Sequence, residues 1–465
     1  MSNRRRREKP IVVRLRKIHI ALHRAAGQQR ERSHAPPHAV AHQRRGISRR
    51  FAELRSAGAG ALASLLAVLG PGMLAGLSDD DPAGITTYSL LGTDHGYQLL
   101  WIIPASTILL VYFHLLAVRI GAASGKGFVG VIRERWGAQM GYLAVIGLLL
   151  ANFGTICAEY AGISAAASLI NIPSWISTPI AGLLICLVVV LGSFHRVEVI
   201  LLVISSTLAL YVLNGILAAP DWSLVIRNSL IPSMPLNNAG WIAVTATLGT
   251  TLAPWGLAFL QSYAVDKKIT VADLKWERID VVVGSVLTGV IGLSIAVACA
   301  ATLHPAGIRI QDASDAALAL RPLAGSFATI LFGTGLLGAS LLAAAIVPLA
   351  TAYSIAEGIG APASLDLDSH HFQFFYAAFV GLTVAAVSIV SLPGLSLIPM
   401  IYMSQVVNAV LLPFHVVALQ LLASDPKVVG QAKIGRVSVI FGWTSIVVII
   451  ACVVALAVSW TKDSW

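Results

Sequence analysis

Charge is what this sequence has least of. Only 12% of its 465 residues are Asp, Glu, Lys or Arg, whereas 57% are hydrophobic. A soluble domain carries about a quarter charged residues, so a soluble enzyme or binding module is excluded. Most apolar runs exceed about 18 residues, too long for the helices of a water-soluble core. Cysteine is scarce too. Cys157, Cys186, Cys299 and Cys452 all lie in apolar segments without metal-ligand spacing. That excludes a disulfide framework and leaves four small buried hydrophobes. No P-loop is present, so an ATP-driven pump would need a partner chain. The first apolar run starts too late and is too long to read as a secretory signal.

The charge that is present is uneven. Residues 1–57 hold sixteen Lys and Arg against three acids, Glu8, Glu31 and Glu53, a balance of +13 that leaves −3 for the rest. This tail also carries Pro36-Pro37 and five histidines, with little sustained periodicity. It reads as a disordered cytosolic segment held near anionic headgroups. Arg4–Arg7 could touch phosphates, but no aromatic residue accompanies them, so a nucleic-acid partner is not expected.

Hydropathy predicts eleven spans within 58–465. They run roughly over 58–92 (broken), 97–120, 140–171, 179–195, 197–219, 239–265, 279–302, 325–357, 372–392, 395–422 and 433–460. Loop charges set the orientation. Lys126, Arg133 and Arg135 follow span two, and Arg196 follows span four. Lys267, Lys268, Lys275 and Arg278 follow span six, and Lys427, Lys433 and Arg436 follow span ten. All fall on the side of the basic tail. The opposite loops carry only Arg227, Arg309 and Arg321, and the loop after span eight departs from the rule with Asp366 and Asp368. An integral, multi-pass protein of the plasma (inner) membrane with a cytosolic N-terminus is expected.

Span one is interrupted by Asp79-Asp80-Asp81 and then Pro82-Ala83-Gly84. Each carboxylate at membrane depth costs about 2.5–3.5 kcal/mol on insertion scales. Pro removes a backbone donor and Gly loosens the helix. A broken helix that sets free carbonyls beside carboxylates is how an oxygen-rich cation site is built inside a bilayer. Span six has a matching break at Thr250-Thr251-Leu252-Ala253-Pro254-Trp255-Gly256. Two breaks five spans apart predict two five-helix repeats, about 58–219 and 239–422, with 433–460 as an extra helix. An odd repeat length makes the second unit enter from the other face. The architecture expected is an all-α polytopic membrane protein with helices one and six broken.

These residues resemble the Nramp family of divalent-metal transporters. Asp81-Pro82-Ala83-Gly84, then Gly96-Tyr97-Gln98-Leu99-Leu100-Trp101, is similar to that family's first break and next span. Gly121–Lys126 with Arg133-Glu134-Arg135, Ala158-Glu159 with Gly162, Ser404-Gln405-Val406-Val407 and Ser424-Asp425 resemble further family segments in the same order. The resemblance implies the LeuT/APC-type fold of sodium-coupled amino-acid transporters, with a metal site at the unwound centres of spans one and six. The chain also departs from the family. Gly84 stands at the Asn position, Ala253 and Trp255 stand at the Met and His of Met-Pro-His, and Ile156 stands at the relay Asp. That pattern resembles the branch of Nramp-related magnesium transporters.

Physical chemistry points the same way. A thioether selects transition metals, and its removal leaves oxygen donors. Magnesium wants about six oxygens and sheds water reluctantly. Small residues at Gly84 and Ala253 enlarge the cavity for a partly hydrated ion. The expected metal site is therefore Asp81, the carbonyls near Ser78 and Thr250, and the positions of Gly84 and Ala253, with Asp79, Asp80, Glu159, Gln405 and Trp255 accessory. Asp79 or Asp80 would line a vestibule or cap the second half-helix, and Gln405 would bind water or bond helix to helix. His95 and His114 read as membrane-border residues and Arg119 as an interfacial anchor.

The expected function is secondary transport of Mg²⁺, and of Mn²⁺ too, by alternating access without proton coupling and with no cofactor. The alternative is a proton-coupled Mn²⁺/Fe²⁺ carrier of conventional Nramp type. An organic-solute carrier of the same fold is disfavoured, because three acids at the first break repel a carboxylate. A membrane sensor with a basic docking tail is the non-transport alternative. The sequence leaves the oligomeric state open.

Overall fold

Helices account for the regular structure of the computed structural model, which describes residues 79–190, 210–360 and 372–463. The chain divides into Met1–Val68 and Leu69–Trp465, and every described residue belongs to the second unit. The basic tail, the first part of span one with Ser78, the start of span five and the loop with Asp366 and Asp368 lie outside the described residues.

The helices of eight residues or more are, in chain order, α1 Pro82–His95, α2 Ile102–Ser124, α3 Phe128–Trp136, α4 Ala138–Ser168 and α5 Ser174–Val190. Then come α6 Leu210–Leu217, α7 Trp222–Leu230, α8 Asn238–Thr251, α9 Pro254–Asp266 and α10 Leu274–Thr302. The last four are α11 Ala328–Ile359, α12 Phe372–Val390, α13 Leu397–Ser424 and α14 Arg436–Asp463. Among the described residues seven helical stretches are long and apolar enough to cross a bilayer, and α5 and α12 are shorter apolar helices. Eleven spans were expected. Spans one and five fall partly outside the described residues, and α5 has only 17 residues.

Most boundaries lie within a few residues of the hydropathy reading. Two shifts matter. Span four begins at Ser174 rather than 179, with Pro179 inside the helix. Its first turn is closed by the Pro173 carbonyl, which accepts the Ile176 and Ser177 N–H groups. Span two runs on to Ser124, where Gly125 takes a left-handed φ of 65° and its N–H caps the Gly121 carbonyl.

The outer helices turn apolar residues outward. Leu143, Ile146 and Leu150 of α4, Leu183, Leu184 and Leu187 of α5, and Val437, Ile440 and Val447 of α14 are all exposed. In water such faces would be a liability; in a bilayer they meet lipid. The chain is an integral, multi-pass membrane protein. Inside, α4 lies along α11 and α13, α10 packs on α1 and α2, α8 on α13, and α9 on α2. Small residues allow this closeness, since lipid tails give helices no hydrophobic reason to associate. A β-carbon at Gly92 of α1 would lie 2.1 Å from the Ala296 carbonyl of α10. The two broken segments, α1 and α8–α9, thus sit inside a frame of α2, α4, α10, α11 and α13.

Candidate metal site

Proline shapes both breaks. Pro82 and Pro254 each occupy the first turn of a helix, where a missing N–H is harmless and the fixed φ is already helical. The carbonyl four residues earlier then loses its usual donor. For Pro254 that carbonyl is Thr250; for Pro82 it is Ser78, outside the described residues. Between α8 and α9 the chain leaves the helix at Leu252, and Ala253 is extended at φ −52°, ψ 129°. The Thr250 hydroxyl is also buried and without a partner. Thr250 therefore offers two unclaimed oxygens at the break.

Asp81 caps α1. Its backbone is extended, and its Oδ1 accepts the Gly84 N–H at 2.7 Å. This corrects the expectation that Asp79 or Asp80 supplies the cap. The same Asp81 carboxyl meets the carboxyl of Glu159 on α4. Neither acid brings a donor when ionised, so only a proton or a cation reconciles them. Asp79, Asp80 and Glu159 are 3%, 1% and 0% exposed. Asp79 Oδ2 and both oxygens of Asp80 and of Glu159 have no hydrogen-bond partner. Five unsatisfied carboxyl oxygens in one buried region are costly unless a cation answers them.

Asp79 connects the two breaks. A β-carbon on Gly256, in the first turn of α9, would lie 3.3 Å from Asp79 Oδ1. A carboxylate there also meets the positive end of the half-helix. Ala83, Ala253, Trp255 and Ile156 share one buried apolar cluster, which closes one side of the breaks. Trp255 is fully buried and packs on Phe259, and its indole N–H has no partner. On the other side Tyr88 of α1 bonds to Thr251 Oγ1 at 2.9 Å, and Ser106 of α2 donates to the same oxygen at 3.1 Å. Thr251 gives its own proton to the Thr247 carbonyl, so Tyr88 is the donor.

Three expectations change. Gly84 does not enlarge the cavity, because a β-carbon there would stand 2.7 Å from the Asp79 carbonyl. Glycine is required by that close approach. Gln405 is engaged by its neighbours. Its amide donates to Ser404 Oγ at 2.7 Å and accepts from Asn408 Nδ2 at 2.9 Å, and Asn408 reaches Thr155 of α4. Its own hydrogen bonds stay within α13, and Asn408 makes the link to α4. His114 is not a border residue. It is 1% exposed, its Nδ1 lies 3.4 Å from Ser285 Oγ, and its Nε2 lies 3.8 Å from the β-carbon position of Gly256. α2 ends at Ser124 rather than 120, which places His114 further from the helix end than hydropathy did. Among the described residues no three His, Cys, Asp or Glu side chains converge on one metal-sized point. The acids are gathered but not focused.

Gly162 of α4 holds the first break in place. A β-carbon there would come within 2.3 Å of Pro82 Cγ and 2.6 Å of Ser340 Oγ. Gly162→Ala should push Pro82, and Asp81 with it, off position. Overpacking of this kind costs about 1–3 kcal/mol. Loss of metal uptake with the melting temperature lowered is the expected result; a variant that takes up metal at the unmodified rate refutes the placement.

Comparison with known proteins agrees with this geometry. The family model described as natural resistance-associated macrophage protein-like, Nramp, matches residues 72–459. The divalent metal cation transporter MntH of Deinococcus radiodurans is 26% identical over 410 residues, which cover 85% of this chain and 90% of that protein. The manganese transporter of Eremococcus coleocola, solved with an aromatic bis-isothiourea compound, superposes with a TM-score of 0.69 at 22% identity, over 86% of this chain and 87% of that one. MhsT, solved with L-phenylalanine, gives a TM-score of 0.51 at 15% identity over 84% and 97% of the two chains. These two show a shared fold. The family match spans most of the sequence, and the chain belongs to the Nramp family.

Proposed function

We propose that this chain is a secondary carrier of divalent metal ions. One observation carries the reading: four buried acids, Asp79, Asp80, Asp81 and Glu159, gathered at two broken helices, with five of their oxygens unpartnered. The similar proteins, a divalent metal cation transporter and a manganese transporter, favour Mn²⁺ as cargo over the Mg²⁺ expected from the sequence. The Asp81–Glu159 contact fits proton coupling, because a shared proton can leave when the ion enters. We carry forward the eleven-span arrangement with inverted repeats over 58–219 and 239–422, the cytosolic tail of 1–57 and the plasma-membrane location. The breaks at Pro82 and Pro254 support the repeats.

A second reading, Mg²⁺ uptake without proton coupling, rests on Ala253. No thioether stands at that break, and an oxygen-only site does not exclude a hard ion. Uptake into proteoliposomes with Mn²⁺, Mg²⁺ or Ca²⁺, with internal pH recorded, separates the two. The first reading expects Mn²⁺ entry with matching acidification inside. Mg²⁺ entry at constant internal pH moves the assignment to the second reading. Entry of none of these ions sinks both.

A further inference from the structure

Away from the acids, a pocket of about 230 Å³ opens where the end of α2, the start of α10 and the segment leading into α14 meet. Its charged residues are Arg119 and Arg278, with Tyr112 and Ser438 also polar; its apolar wall includes Leu115, Leu274 and Ile434. The two guanidinium groups act on one another as like charges. Among the described residues the ion pairs are Lys126–Glu134 and Arg135–Asp425, so neither arginine has a carboxylate partner. Asp273, Glu277 and Asp280 of the same region do not line the pocket. Arg119 is half-buried, and Nη1 donates to the Ala432 carbonyl at 3.3 Å, which fixes its direction.

Two cations held together without an anion, in a pocket with a greasy wall, fit one class of ligand. We propose that this pocket holds the phosphate of an anionic membrane lipid, with the apolar wall receiving the lipid's glycerol and first acyl carbons. The loop charges put the adjoining loops on the cytosolic side, where the leaflet is negative. Basic pockets between transmembrane helices on that side bind such headgroups, and a guanidinium pair matches a phosphate's oxygens. Trp276, two residues before Arg278 on α10 and 40% exposed, with the Lys275 ammonium 5.3 Å from its ring, is the kind of residue that marks the headgroup level. None of the four acids at the breaks lines the site. A bound lipid would tie α2 to α10 and α14; α2 and α10 in turn pack on the broken segments.

The test uses the full chain in neutral detergent with phosphatidylglycerol, phosphatidylcholine or inorganic phosphate added, read by native mass spectrometry and by thermal melting. Phosphatidylglycerol should bind and stabilise in preference to phosphatidylcholine. Arg119→Gln with Arg278→Gln should weaken that binding about tenfold or more. Lys267→Gln with Lys268→Gln, the same charge change on the same side, should leave it within about twofold. Arg278 is exposed, so Arg278→Gln alone is the arm that survives if the double variant folds poorly, and it should weaken binding severalfold. Equal losses in the Arg and Lys variants would mean diffuse surface charge and overturn the proposal. So would equal binding of phosphatidylcholine, or inorganic phosphate reproducing the whole effect.

Discussion

Asp81→Asn should leave the fold intact and reduce divalent-metal uptake by about 100-fold or more. The side chain has two tasks, and this substitution separates them. As a cap, Asp81 Oδ1 accepts the Gly84 N–H, and Asn caps as well as Asp. Pro82 still opens α1. As a charge, the carboxylate stands against Glu159, and among the described residues no ion pair reaches either acid. Removing one unit charge from an oxygen site for a divalent ion costs on the order of 3 kcal/mol, which is about two decades of affinity. Asp81→Ala would confuse the outcome, because it also removes the cap, worth about 1 kcal/mol. Thermal melting gives an independent reading. Metal at about 100 times its dissociation constant stabilises a folded protein by about 2.7 kcal/mol. The unmodified chain should show that gain with the transported ion, and Asp81→Asn should show almost none. Equal metal stabilisation in the two proteins would remove Asp81 from the site.

Local chemistry made the breaks readable and hid their surroundings. Pro82 and Pro254 announce themselves, because a proline lacks its N–H in any context. The hydrophobic runs placed α2, α4, α8–α9, α10, α11, α13 and α14 within a few residues. The Asp81 cap was also legible, since an Asp directly before a Pro in the first helical position is a start signal. A carboxylate at membrane depth also has the chemistry of a ligand, and that second role masks the first. Gly84, His114 and Gln405 could not be read in the same way. The space at Gly84 is taken by the Asp79 carbonyl, folded back from before the break. The depth of His114 depends on where α2 ends, and hydropathy blurs that by a turn. The partners of Gln405 include Asn408, which in turn bonds to Thr155 on another helix, a pairing no single segment specifies. The bond from Asn408 to Thr155 is a tertiary fact. The pairing of Arg119 with Arg278 is another, since the two are far apart in sequence and meet only when α2 and α10 pack.

Ala253→Met should raise the preference for Cd²⁺ over Mg²⁺ by at least about tenfold, equivalent to about 1.4 kcal/mol. Ala253 is the extended residue between the two half-helices, 4% exposed, one position before the proline that frees the Thr250 carbonyl. A side chain here points into the cluster shared with Ala83 and Trp255, beside the first break. Met is flexible enough to fit an irregular gap and brings a soft sulfur. It also brings volume, and overpacking alone disturbs transport. Ala253→Leu is the control, because Leu and Met fill nearly the same space and only one can bind metal. Both variants should lose stability, by about 1–3 kcal/mol, and both should move ions more slowly. Only the Met variant should let Cd²⁺ gain on Mg²⁺ as a competitor of Mn²⁺ uptake. If Leu shifts the competition as far as Met does, volume governs selectivity at this break. If neither shifts it, Ala253 does not face the ion, and the sulfur-free argument for a hard cation loses its foundation along with the Mg²⁺ reading that depends on it.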